Sequence, residues 1–215
     1  VVTVVTAPDK PAGRGRKLTN SAVKTFAENS CLPVLQPENL KDPEFIQKLK
    51  DLRADIFIVV AFRMLPEVVW KIPPAGTINL HASLLPHYRG AAPINHVIIN
   101  GESFTGVTTF LIDDKIDTGK ILLRKSVRIF PFENAGDLHD RLMKLGARLV
   151  IRTLSAMFED HIVPQPQSAF LRAGEIPKTA PKLFHENCII DWHNKASTIH
   201  NLIRGLAPYP GARSF

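Results

Sequence analysis

The sequence predicts an α/β protein built on a mostly parallel sheet with helices on both faces. Three observations carry this. Short β-branched runs alternate with helical patterns along most of the chain, as in successive βαβ units. One run, DIFIVVAF (Asp55–Phe62), is almost continuously apolar, as an interior strand covered on both faces must be. And 215 residues with 45% hydrophobic content suffice for one sizeable α/β domain with a short appendage.

In chain order, Val1–Thr6 (VVTVVT) reads as the first strand. A polar, glycine-containing segment follows, after which Asn20 or Ser21 caps a helix running to about Asn29. Leu32–Gln36 reads as a short strand, Pro43–Arg53 as an amphipathic helix, Pro66–Trp70 as a brief helix and Gly76–His81 as the next strand. Ser83–Gly90 is a loop and Ala91–Asn100 a helix. Strands near Val107–Ile112 and Ile121–Ile129 flank the polar turn DDKIDTGK, and a long helix covers about Glu133–Phe158. The proline-rich stretch His161–Pro181 reads as a linker or extended excursion, and Asn194–Gly205 as a final helix ending at glycine. This divides the chain into a domain over 1–160 and a linker with a last helix over 161–215. Both ends read as cut from something longer.

Composition excludes several classes. No apolar run approaches the roughly 18 residues of a membrane span, and no secretory leader pattern is present, so the cytosol is the expected compartment. Cys31 and Cys188 are far apart and lack metal or redox spacing, and the eight histidines do not cluster at ligand spacings, so no metal is expected. No G-x-G-x-x-G follows a strand, which argues against a dinucleotide dehydrogenase. The net charge of +7 suggests an anionic partner without choosing one.

Strand Gly76–His81 ends in Asn79 and His81, one residue apart and therefore on the same face. Ligands in open α/β sheets sit beyond the carboxyl ends of strands, so an amide and an imidazole would point together into that crevice. The following loop, HASLLPHYRGAAP, has no acidic residue and can offer backbone donors and acceptors to a flat polar ring. The DDKIDTGK turn supplies Asp113, Asp114 and Asp117, any of which could bring a carboxylate to the histidine and favour its protonated form.

The string NLHASLLPHYRGAAPIN, followed 36 positions after its histidine by the aspartate of IDTG, resembles the folate-dependent formyltransferase family. The resemblance implies a Rossmann-like fold, a catalytic trio of Asn79, His81 and Asp117, and contacts from Ser83, Leu84, Leu85 and Pro86 to 10-formyltetrahydrofolate as co-substrate. A second motif, DKPAGRGRKLTNSAVK (Asp9–Lys24), is similar to the basic loop of family members that act on initiator methionyl-tRNA. It implies RNA contacts from Lys10, Arg14, Arg16 and Lys17, four positive charges around flexible glycines. Other acceptors in the family are glycinamide ribonucleotide, sugar nucleotides and water, none of which is expected to go with this loop. A reading from another class is a non-catalytic RNA-binding α/β module. The resemblance further implies a monomer, a missing first strand, and a missing C-terminal barrel domain. Phe62 and Arg63 stand where the family more usually has an aromatic-glycine pair, which puts the adjoining pocket wall in question.

Overall fold

The computed structural model describes residues 1–12 and 17–215. The chain divides into two compact units, Val1–Thr77 and Ile78–Phe215.

In the first unit, β1 (Val4–Val5) pairs in parallel with β4 (Val34–Leu35). The VVTVVT run thus contributes a two-residue strand, shorter than its pattern suggests. Lys10–Ala12 (β2) and Lys17–Thr19 (β3) pair antiparallel, with Lys10 opposite Thr19. Helix α1 (Ala22–Asn29) starts at Ser21, whose hydroxyl accepts from Lys24 N and satisfies a first-turn donor. Lys24 also pairs with Asp9 at 2.5 Å, tying the two ends of the basic motif together. That pair, with the Gln36 amide, holds the Asp9 carboxyl below its ordinary range. Helix α2 (Pro43–Asp51) is capped by Asp42 with proline in its first turn. Its buried Phe45 and Leu49 meet Leu40 and Val69, the last from α3 (Glu67–Trp70), in a small core that also packs Phe57 of β5 (Phe57–Val60). Arg63 donates to the carbonyls of Pro37 and Glu38, clamping that extended segment.

The second unit carries β6 (Thr77–His81), α4 (Pro93–Ile99), β7 (Phe104–Leu111), β8 (Ile121–Arg128), α5 (Ala135–Phe158) and α6 (Ala196–Leu206). Strand β7 runs antiparallel to both β6 and β8, so the α/β architecture gains an antiparallel meander at this place. The register sets His81 opposite Thr108 and Asn79 opposite Phe110. Helix α5 begins with a reciprocal capping box between Asn134 and Asp137. It buries Leu138, Leu142, Gly146, Leu149 and Thr153, spaced three or four apart along one face. At Gly146 a side chain would stand 2.7 Å from Leu80 Cδ2, so the missing Cβ is what lets the helix approach β6. Val97, Ile98, Val107, Ile129 and Leu138 form the main core here, with Ala180 packed among them.

The stretch His161–Pro181 is an excursion that returns to the unit rather than a free connector. Gln165 exchanges both backbone hydrogen bonds with Ile121 at 2.8 Å. Further on, Lys178 O accepts from Tyr88 N, Ala180 N donates to Arg89 O, and Ala180 O accepts from Ala92 N. Residues 163–181 thereby form a strap across the loop that follows β6.

Candidate active site

The site is built where β6 ends. Residue alternation on the strand places Asn79 and His81 on one face, as the sequence implies. His81 is buried, with Nε2 donating to Tyr88 O at 2.8 Å and Nδ1 facing Asp117 Oδ2 at 3.7 Å. Both ring nitrogens thus look at oxygen acceptors, and only the imidazolium form can donate from both. The 3.7 Å separation is longer than a hydrogen bond and leaves the second donor able to turn to another acceptor. Asn79 is half-buried, and its side-chain amide makes no hydrogen bond among the described residues.

Asp117 sits in the turn between β7 and β8 with φ 55°, a left-handed conformation that a non-glycine residue keeps only when its surroundings hold it. Its carboxylate also accepts from Gly90 N at 2.9 Å. The other two aspartates of the turn are used differently. Asp113 accepts from Lys115 N and Thr118 Oγ1, closing the turn on itself, and Asp114 is exposed. Gly119 completes the turn, since a Cβ there would lie 1.6 Å from Leu111 O.

The loop residues expected at the folate are largely turned inward. Ser83 is fully buried and donates to His87 O at 2.7 Å. Leu85 packs against Phe110, Ile121 and Phe170. Leu84 lies over Gly106 and lines a cavity of about 210 Å³ together with His87, Tyr88 and Phe104. Pro86 is buried after Leu85. Thr108 stitches the loop to β7: its hydroxyl donates to Ser83 O at 2.6 Å and accepts from Leu85 N at 3.2 Å.

Two residues of this region were not singled out from the sequence. Arg124 donates to Leu85 O at 2.6 Å and stacks on the Phe170 ring at 4.0 Å, with burial pushing its guanidinium below the ordinary value. Gln167, in the strap, bonds both Arg89 and the Asp117 turn. Neither lies in a periodic pattern or a charged motif that would have marked it. Among the described residues, no group of three or more histidine, cysteine, aspartate or glutamate side chains is placed to hold a metal ion.

Of the basic motif, Lys10 is exposed on β2 and Lys17 opens β3. Arg14 and Arg16 lie outside the described residues.

These features define an α/β protein with an amide, an imidazole and a carboxylate gathered at a strand end. Solved structures share its fold: a sugar N-formyltransferase from Shewanella sp. covers 91% of the chain, and the chain 76% of it, at TM-score 0.72 and 19% identity. HypX from Aquifex aeolicus, in complex with tetrahydrofolic acid, covers 88% of the chain, and the chain 32% of it, at TM-score 0.67 and 20% identity. The formyl transferase family model matches residues 1–154, and the formyl transferase C-terminal domain model matches residues 182–215. The chain belongs to the formyl transferase family. Within it, the methionyl-tRNA formyltransferase of Flavobacterium johnsoniae is 58% identical over 215 residues, and that of Bacteroides fragilis 54% identical over 214. Both alignments cover 100% of this chain and about two thirds of the relative, 67% and 66%. No described helix is long and apolar enough to cross a membrane.

Proposed function

We propose that the chain serves transfer of a formyl group from 10-formyltetrahydrofolate to the α-amine of initiator methionyl-tRNA, in the cytosol, at the start of translation. The observation that carries the reading is the free Asn79 amide on the same strand face as an imidazole that faces the Asp117 carboxylate. Such a set suits an acyl oxygen that gains negative charge.

In the reaction the amine lone pair forms a bond to the formyl carbon, whose C=O electrons move to oxygen. Asn79 Nδ2–H and His81 Nδ1–H, the ring nitrogen not engaged by Tyr88 O, donate to that oxygen. The Asp117 carboxylate faces Nδ1 at 3.7 Å and orients the ring. Collapse breaks the bond from carbon to the folate nitrogen, and the proton lost by the amine passes to that nitrogen, with the Asp117 carboxylate aiding the relay. Burial of His81 and its Nε2 bond to Tyr88 O keep the ring in place, so little reorganisation of the imidazole accompanies the charge change.

Ser83, Leu84, Leu85 and Pro86 form the wall for the folate ring in this reading, acting through backbone position more than through side chains. Lys10, Arg14, Arg16 and Lys17 track the acceptor end of the tRNA. Methionyl-tRNA is favoured over a sugar nucleotide because whole-chain identity reaches 58% with relatives named for it, against 19% for the sugar N-formyltransferase.

The test is formylation of charged initiator tRNA by wild-type, Asn79→Ala and His81→Ala chains. Each variant should lose about 2.7–4 kcal/mol of transition-state stabilisation, roughly 10²–10³ in kcat, with little change in donor affinity. Near-normal turnover in either variant would remove that residue from the site.

A further inference from the structure

Gln167 makes an unusual set of bonds. The residue is 5% exposed, and all of its amide hydrogen-bonding capacity is used. Nε2 donates to Asp117 O at 2.8 Å and Gly119 O at 2.9 Å. Oε1 accepts from Arg89 Nε at 3.0 Å and Nη2 at 2.6 Å. None of these partners belongs to the strap that carries it. One set lies in the turn holding Asp117, and the other is the residue immediately before Gly90, whose N–H binds the Asp117 carboxylate at 2.9 Å.

The consequence is geometric. The φ of 55° at Asp117 is costly without external support, on the order of 1 kcal/mol or more. Two N–H···O bonds from one side chain hold the Asp117–Thr118 and Gly119–Lys120 peptides, and the first of these constrains the direction in which the Asp117 side chain leaves the backbone. The same amide, through Arg89, fixes the segment that presents Gly90 N. The Gln165–Ile121 backbone pair delivers Gln167 to this place, because Ile121 begins the strand on which the turn ends. Were Gln167 merely a satisfied interior amide, its bonds would have no reason to divide between the two chain segments that meet at the carboxylate.

We infer that Gln167 is the positioning residue that holds Asp117 toward His81 during formyl transfer. It acts through Asp117 and touches no reacting atom. The inference rests on the formyl-transfer reading of His81 and Asp117, and its test separates the two.

Full-chain Gln167→Glu keeps the size and the Arg89 pairing but, when ionised, has no hydrogen to give the two carbonyls. Gln167→Ala removes both functions. Formylation kinetics, melting temperature and the ¹⁵N signals of the His81 ring are measured for each, and for the same changes in an Asp117→Ala background. Misplacement of a catalytic group by about 1 Å can cost about 10²-fold, so Gln167→Glu should lower kcat by roughly 10- to 100-fold, with KM for both substrates within about twofold. His81 ring signals should move toward those of Asp117→Ala, and in that background the Gln167 change should cost little more. A kcat within about threefold of wild type, or a loss of equal size with and without Asp117, overturns the inference. The alanine variant, if it melts early, leaves the glutamate variant to decide. If the wild-type chain moves no formyl group, the reading of the reaction fails, and unchanged His81 signals would then refute the positioning role independently.

Discussion

Thr108→Val tests how the loop after β6 is held. Valine keeps the branched shape that suits a strand and the volume of a fully buried residue, so packing changes little. What it removes is one hydroxyl that satisfies two backbone groups at once, Ser83 O at 2.6 Å and Leu85 N at 3.2 Å. Each buried backbone group left unpaired costs about 1–3 kcal/mol, so the pair should cost about 2–6 kcal/mol. For a chain of this size 1 kcal/mol moves the melting temperature by about 2–4 °C, so a loss near 3 kcal/mol appears as roughly 6–12 °C. Calorimetry or urea titration of both proteins reads this directly, and amide exchange at Leu85 locates it. In the formyl-transfer reading turnover should fall as well, because this loop is the proposed wall for the folate. A stability loss below about 1 kcal/mol would mean that water or a shifted backbone serves these groups, and the stitch would then have no role.

Other perturbations address neighbouring features. Gly119→Ala should be destabilising by about 1–3 kcal/mol or more, since its Cβ would collide with backbone at Leu111; full activity and stability would refute the tight-turn account. Glu102 titrates below its ordinary 4.5 because, although burial is the largest single influence and acts upward, bonds from Lys178 and Tyr88 together outweigh it. A depressed carboxyl stabilises fully above its unfolded value and loses that contribution as pH falls through the folded one. Wild-type stability should therefore fall more steeply below about pH 4.5 than that of Glu102→Gln, and parallel curves would refute this. Neutralising Arg14 and Arg16 together should weaken tRNA binding and flatten the slope of log K against log salt by about 1.5; an unchanged slope would make the loop a solvated face.

Much of the architecture was readable from periodicity. The bounds of α1, α2, α4 and α5 follow apolar spacing, and Ser21 is one of two cap candidates for α1; the caps Asp42 and Asn134 emerge only in the structure. Strand β7 begins at Phe104, earlier than Val107, because Thr105 and Gly106 are buried by tertiary packing that local polarity does not reveal. Within the site, alternation alone put Asn79 beside His81. Spacing could not choose among Asp113, Asp114 and Asp117, since three acidic residues in one turn look alike until the fold assigns one to its own backbone, one to water and one to the imidazole. Family resemblance pointed to Asp117. The burial of Ser83 and Leu85 was hidden because loop letters carry no facing information. Gln167 was hidden for another reason: its partners are 48 to 78 positions away, in a proline-rich stretch whose composition reads as a connector.

The strap also sets the order in which the proposed site can be completed during synthesis on the ribosome. His81 and Asp117 emerge well before Gln165 and Gln167, and the last ties to the loop, from Lys178 and Ala180, emerge later still. Until they do, a nascent polypeptide holds Asn79, His81 and Asp117 but lacks the two Gln167 bonds to the Asp117 turn, so in the proposed reading full competence waits on distant downstream residues.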